Sequence, residues 1–201
     1  MAPLEPSDDR ALVEALRRGD ASAFDVAYER YRARIFAFLL RLSRRREVAD
    51  ELSQETWMKL ARHREKLRED TDLRAWLYSV ARNAWVSYRR WSVLDISRFV
   101  ALDDVHEWAP SEGLSPEAQT DARRSMVRLE RALGRVPASA REALLLVGAE
   151  GFDQDHAADI LGLRPDAFRQ RLSRARARLA EELAKLDSPV QSRGAHADAD
   201  R

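Results

Sequence analysis

Between residues 168 and 179, in FRQRLSRARARL, arginine, glutamine and serine gather where they can do one kind of chemistry, hydrogen bonding to base edges. Phe168, Leu172, Ala175, Leu179 and Leu183 keep the three- and four-residue steps of one apolar helix face. At about 100° per residue, the opposite face carries Gln170, Ser173 and Ala177, flanked by Arg169 and Arg174. In a DNA major groove, arginine can bond guanine and glutamine adenine, while Arg171, Arg176 and Arg178 can reach phosphates. That face holds no bulky apolar group, and no acid within the stretch offsets its arginines.

Two other stretches carry side chains with a definite chemistry. In VADELSQETWMKLARH, Val48, Leu52, Trp57 and Leu60 can pack inward, which leaves Asp50, Glu51, Gln54 and Glu55 on an acidic, hydrogen-bonding face. Read alone, that face is a solvated surface. As a docking surface it would suit a basic partner helix. Farther on, Arg64 opens a charged loop over 64–70, followed by a helix predicted to run from about residue 73 to 91. Trp76, Leu77, Val80 and Ala84 form its expected buried stripe, with Arg74, Tyr78, Arg82, Asn83, Tyr88, Arg89, Arg90 and Trp91 outside it. Single-stranded nucleic acid needs such a mixture, charge for its backbone and flat faces for unstacked bases. A surface helix with snorkelling basic side chains and core aromatics accounts for the same pattern.

The elements that must position these groups are all helices. Asp153 is a predicted N-cap for residues 154–161, Gly162 a C-terminal stop, and Pro165 suits the first turn of the next helix. With Ala157 and Ala158 small enough for a close crossing, the pattern is that of a helix-turn-helix whose second member would read DNA, and a solvated basic helix covering an ordinary bundle is the alternative. Upstream, helices are expected over 9–18, 21–41 and 47–63, with Phe24, Tyr28, Tyr31, Ile35, Phe38, Leu39 and Leu42 inward on the second. Thr71 or Asp72 caps the fourth. Further helices are expected over 117–133 and 138–149, and the last fifteen residues lack periodicity. The fold expected is all-α: two small helical domains, 8–93 and 118–186, joined by an acidic flexible linker, 94–117, and followed by a disordered tail, 187–201.

Net charge over 201 residues is only +1, so nucleic-acid binding would have to come from segregated charge. Residues 164–178 hold six arginines and one acid, whereas 94–117 hold six acids and a single basic residue, Arg98. The absence of cysteine excludes disulfides and thiolate metal sites and fits a reducing cytosol. No apolar run suits a signal core or a membrane span, so no membrane insertion is expected. Phosphate-loop, nucleophile-elbow and zinc-protease motifs are lacking, and His63, His106, His156 and His196 stand far apart in sequence. Neither an enzyme, a metal site nor a cofactor is expected.

Three stretches, in order, resemble the extracytoplasmic-function (group IV) sigma factors of the bacterial sigma-70 family, and the likeness spans about residues 21–186. ADELSQETW (49–57) is similar to their core-binding helix, A-E-D-L-V-Q-E-T-F. LRAWLYSVARNAWVSYRRW (73–91) resembles the promoter-melting helix with W-L-x-x-I-A-R-N, and EGFDQDHAADILGL…RQRLSRARARL the C-terminal helix-turn-helix. The resemblance implies a promoter-specificity subunit that binds core RNA polymerase, through the β′ clamp and the β subunit, and promoter DNA as duplex and as single strand. Asp50, Glu51, Gln54 and Glu55 would dock on the β′ coiled coil. Arg64, Arg74, Tyr78, Arg82, Asn83, Arg89 and Arg90 would hold the minus-ten element, offsetting a few kcal/mol of base extrusion. Arg169, Gln170, Arg171, Ser173 and Arg174 would read the minus-thirty-five duplex, and the acidic linker would thread toward the polymerase channels. A bacterial cytoplasmic location follows, with room for an anti-sigma factor as a further partner. The competing reading is a stand-alone helix-turn-helix regulator, which leaves the first two surfaces without a use.

The chain departs from the family pattern in places. Glu51 stands where acid of the shorter type is frequent, and Ser87 replaces a frequent acid before Arg89-Arg90. His156-Ala157 stands for Glu-Ile, which removes a capping-box carboxylate. Asp166-Ala167 stands for Gly-Thr at the start of the reading helix, placing an acid toward DNA phosphate.

Overall fold

The computed structural model describes residues 6–94 and 116–187, and every regular element among them is helical. The expected linker and tail therefore lie outside the described residues, apart from Leu94, Pro116, Glu117 and Asp187, which belong to helices. Four helices make the N-terminal group: α1 (Pro6–Arg17), α2 (Ala21–Ser43), α3 (Arg46–His63) and α4 (Leu73–Leu94). Asp20 caps α2, its carboxylate accepting from the Ser22 amide at 2.8 Å. Asp72, the second of the two expected caps, accepts from the Ala75 amide at 2.8 Å and starts α4. Between α3 and α4, residues 64–70 are more than a charged loop. Arg64–Lys66 makes a 3-10 turn, and Leu67 is buried beneath it.

Apolar periodicity gives this group its core. Tyr31, Ile35, Phe38, Leu39 and Leu42 of α2 meet Leu52 and Leu60 of α3 and Leu73, Leu77 and Ala81 of α4, with Val13 and Leu16 of α1 closing one end. The aromatic stripe of α2 is less uniformly inward than its spacing predicts. Phe24 is half-buried and Tyr28 exposed, and both pack on Trp57 of α3, with ring centroids 6.4 and 5.0 Å away.

The C-terminal group consists of α5 (Pro116–Arg135), α6 (Ala138–Leu144), α7 (Gln154–Leu161) and α8 (Pro165–Asp187). The helix expected over 138–149 forms, but its last five residues are not α-helical. After α6 the backbone widens into a π turn, Leu145–Ala149, which ends with the Glu150 amide bonded to the Leu145 carbonyl at 2.9 Å. Wide turns of this kind are rare inside helices and are found mostly as single turns, and after this one Glu150 and Phe152 face Tyr78 and Arg74 of α4. The turn between α7 and α8 forms as its residues dictate. Gly162 adopts a left-handed φ of 62°, and the Leu163 amide returns to the Ala158 carbonyl at 2.9 Å.

The two groups are packed on each other. α4 lies against α7, and the end of α2 against α6, so that buried residues of both groups form one apolar cluster. Arg141, only 6% exposed, fastens this junction. Its guanidinium donates to the Arg41 and Leu42 carbonyls at the end of α2 and to the Leu133, Gly134 and Val136 carbonyls at the end of α5. Arg41 with Glu130, at 2.7 Å, and Arg44 with the Gly134 carbonyl, at 3.2 Å, add to it.

Candidate nucleic-acid interface

On α8 the apolar positions Phe168, Leu172 and Ala175 are buried, which turns the expected reading face outward. Arg169, Gln170, Ser173 and Arg174 are exposed. Arg171 differs. It is half-buried, and its charge bears on Glu142 of α6. Arg169 is also less available than its spacing alone implies, because Asp166 one turn earlier forms an ion pair with it. The acid that departs from the family pattern thus acts on its own helix.

At the start of α7, the missing capping carboxylate has been replaced by a different pair. Asp153 accepts from the His156 amide at 2.8 Å, and the His156 ring lies 2.6 Å from the other carboxylate oxygen. This hydrogen bond raises the histidine's pKa above its usual value, with the Asp153, Asp72 and Asp159 charges adding to it. A raised histidine pKa means stabilisation that is complete below the unfolded value of about 6.5 and lost as pH climbs through the folded one. Melting temperatures of the wild type and His156→Gln should therefore differ at pH 5.5 and converge by pH 8.5. An equal gap at both would remove the charge from the account.

On α3 the residues Asp50, Glu51 and Gln54 are exposed and Glu55 half-buried, along one outward face. Asp50 and Glu55 are each met by a cation one turn away, Arg46 at 3.8 Å and Lys59 at 2.9 Å. Exposed Met58 continues the same face. Pairs of this kind on a solvated helix contribute only a few tenths of a kcal/mol. A partner can displace them.

α4 departs furthest from expectation. Tyr78, placed by its spacing on the outer side, is fully buried and Trp85 nearly so, whereas Trp76 and Val80 are only half-buried. The physical reason is a second contact. α4 packs on its own group through Leu73, Leu77, Ala81 and Ala84, and on the C-terminal group through an adjoining face. The Tyr78 ring stands edge-on between Phe38 and Phe152, 5.1 Å from each, and its hydroxyl donates to the Glu150 carboxylate. Arg74 lies 4.0 Å over the Phe152 ring and donates to the Glu150 carbonyl. Arg82 approaches Glu142 at 3.6 Å. Burial raises the carboxyl pKa of both Glu142 and Glu150, against the pull of nearby arginines, and raises that of the Tyr78 hydroxyl so that it keeps its proton.

Other expected contacts on α4 stay outside. Asn83, Arg89 and Arg90 are exposed, Trp91 is 73% exposed, and Arg64 is half-buried at the 3-10 turn. Arg89 lies 5.9 Å over the Trp85 ring, which is stacked on Tyr88. Spacing alone had singled out neither Glu142 nor Glu150, and acids beside a leucine run give little sign of facing another domain.

Two sigma-70 domains are recognised in the chain, sigma-70 region 2 over residues 27–91 and sigma-70 region 4 over 126–179. The ECF RNA polymerase sigma factor EcfG of Rhodopseudomonas palustris is 31% identical over 145 residues, covering 72% of this chain and 76% of that one. This chain belongs to the ECF RNA polymerase sigma factors. SigM of Mycobacterium tuberculosis, another ECF sigma factor, is 29% identical and matches 92% of this chain and 89% of its own. Among solved structures, RpoE of Bartonella quintana in complex with the anti-sigma factor NepR superposes with a TM-score of 0.66. The two are 30% identical, over 82% of this chain and 98% of that one. CnrH, in complex with the cytosolic domain of CnrY, shares the fold with a TM-score of 0.65 over 90% of this chain, at 24% identity.

The ECF sigma factor is accordingly a promoter-specificity subunit of RNA polymerase, which binds the core enzyme, recognises promoter DNA and promotes strand opening. Sigma factors are non-enzymatic regulators of transcription initiation. The region 2 match over 27–91 gives α3 and α4 the purpose that a stand-alone DNA-binding regulator would have left them without. Among the described residues, no helix is long and apolar enough to cross a membrane, and no cluster of His, Asp or Glu could hold a metal ion.

Proposed function

We propose that residues 8–93 and 118–186 divide the work of initiation among three helices. Asp50, Glu51, Gln54 and Glu55 on α3 dock on a basic helix of the polymerase β′ clamp, with Met58 beside them as an apolar contact. Arg64, Arg74, Tyr78, Arg82, Asn83, Arg89 and Arg90 hold the extruded minus-ten strand, and Arg169, Gln170, Arg171, Ser173 and Arg174 read the minus-thirty-five duplex. The observation that carries this division is that the acidic face of α3 and the arginine face of α8 are both outward in a chain whose domains are packed together. Neither needs the other covered or uncovered.

The polymerase lies in the bacterial cytoplasm, and we place this chain there. RpoE of Bartonella quintana is captured by an anti-sigma factor. We extend that class of partner to this protein.

The decisive experiment is co-purification with bacterial core RNA polymerase, followed by transcription from a promoter library. Glu55→Lys should weaken core binding about tenfold, by placing like charge against a basic partner. Circular dichroism should be unchanged, because the side chain is half-exposed and its one ion pair, with Lys59, is local. Undiminished core binding would remove α3 from the docking surface.

A further inference from the structure

α1 has no part in the division of work among α3, α4 and α8. It precedes the region 2 match, which begins at residue 27, yet it packs on α2 and on the 3-10 turn of the 64–70 loop. We propose that α1 is a strut for that loop: Asp9 anchors one end to α2 and Arg17 holds Glu69 at the other, which makes both positioning residues for minus-ten recognition. The strut rests on the reading just given, in which Arg64 of the loop meets the minus-ten strand.

The anchored end is made with buried groups. Asp9 is half-buried and accepts from the Arg30 guanidinium at 2.7 Å and from the Tyr31 hydroxyl at 3.1 Å. Tyr31 is fully buried, and burial together with the Asp9 charge lifts its hydroxyl's pKa to about 12, so it stays a donor at neutral pH. Buried Val13 and Leu16 seat the helix between its two ends. Arg17 follows Asp9 by eight residues, about 12 Å along the helix. Two bonds close the chain just behind it, from the Gly19 amide to the Leu16 carbonyl at 3.0 Å and from the Asp20 amide to the Ala15 carbonyl at 3.1 Å. Gly19 takes a left-handed φ of 79° to allow them.

The loop has few holds of its own. The Leu67 amide bonds the Arg64 carbonyl at 3.2 Å, the Thr71 amide bonds the Arg68 carbonyl at 3.1 Å, and Arg68 pairs with Asp70. These bonds fix its local shape but not its place on the domain. Leu67 is its one buried side chain. Among the described residues, the Arg17–Glu69 ion pair, at 2.9 Å, is the one side-chain polar contact that ties it to another element. The bond from Arg17 keeps the Glu69 carboxyl below its ordinary range, with the Arg10 charge adding to the pull. Stability does not account for the pair. Glu69 is exposed, exposed ion pairs stabilise little, and Arg17 Nε is buried without an acceptor among the described residues, which is a cost. A contact that adds little stability yet fixes where a binding loop sits acts on recognition, because a reading group held loosely loses its partner. Arg64 opens this loop and shares its position.

The experiment uses holoenzyme made from bacterial core RNA polymerase and the full chain. It transcribes a library with a randomised minus-ten element and a fixed minus-thirty-five element, taken from a promoter the wild type uses. Arg17→Gln and Glu69→Gln should each lower transcription from the preferred minus-ten sequences about three- to tenfold, a usual coupling for residues in contact. Preference among minus-ten sequences should flatten, with core affinity and melting temperature unchanged. The double variant should be no worse than either single, and Arg17→Glu combined with Glu69→Arg should restore the preference. Asp9→Asn should flatten the same preference from the far end of α1. An unaltered preference in Arg17→Gln, or single effects that add in the double variant, would overturn the strut. So would equal loss on every sequence in Arg17→Gln with Glu69→Gln silent, which would make Arg17 a phosphate contact. A wild type without minus-ten preference, or an Arg64→Ala variant that keeps it, would instead remove the strand-holding role of the loop on which the strut rests.

Discussion

Replacing Arg141 with alanine is expected to lower the free energy of unfolding by about 3–5 kcal/mol, the range for removing one partner of a buried charged network. The side chain serves five carbonyls from two helix ends, at 2.9 to 3.2 Å. Helix C-termini carry unsatisfied carbonyls and a partial negative charge, so a cation placed there does two jobs. Burial pulls the guanidinium's pKa down to about 10, which still leaves it charged at neutral pH. Truncation would remove the fork from all five carbonyls, of which Gly134 would keep only the Arg44 side chain and Leu133 the Val136 amide. Lysine should recover little, because one ammonium offers three donors from a point where the guanidinium reaches five acceptors. Urea unfolding of the full chain measures this, as a shift in midpoint at constant slope. A loss below about 1 kcal/mol would mean that the helix ends find other donors.

The Arg141 network also marks where sequence reasoning stops. Helix positions and caps were legible because they depend on near neighbours: Asp72, Asp153 and Gly162 act within one turn of themselves. The α8 face was legible for the same reason, since one strong apolar stripe leaves one outward side. α4 was not. Periodicity assigns a helix a single buried face, and α4 has two, the second facing Glu142 and Glu150, whose partners Arg82 and Tyr78 lie 60 and 72 residues earlier in sequence. Tyr78 therefore fell on the polar side of the pattern, and Trp76 and Val80 on the apolar side, in reverse of their exposures. Arg141 and Glu142 were invisible for a related reason. A charged pair before a leucine run reads as solvated surface until the facing carbonyls of α2 and the Arg82 side chain are in place. Pairings inside one turn were missed for want of geometry rather than of signal. Asp166 with Arg169, and Asp153 with His156, both stand at the three-residue spacing at which helix side chains meet.

Those pairings decide which arginine of α8 should matter most. Arg174→Ala is expected to weaken binding to the cognate minus-thirty-five duplex by about 1–3 kcal/mol, roughly 5- to 150-fold. Arg174 is exposed on the outward face and has no side-chain partner among the described residues, so it meets DNA without first breaking a contact. Arg169 must leave Asp166, and part of what it gains from DNA is offset by that loss. Arg169→Ala should therefore cost less than Arg174→Ala, and Asp166→Ala should tighten binding by removing both the competitor and a charge that repels phosphate. The measurement is transcription from the promoter library by holoenzyme carrying each variant, with duplex affinities at several salt concentrations. A base contact predicts relaxed preference at one promoter position and an unchanged salt slope. A phosphate contact predicts uniform loss on every sequence and a slope smaller by about 1. With the second result, Arg174 would anchor the helix, and base reading would pass to Gln170 and Ser173 on the same face.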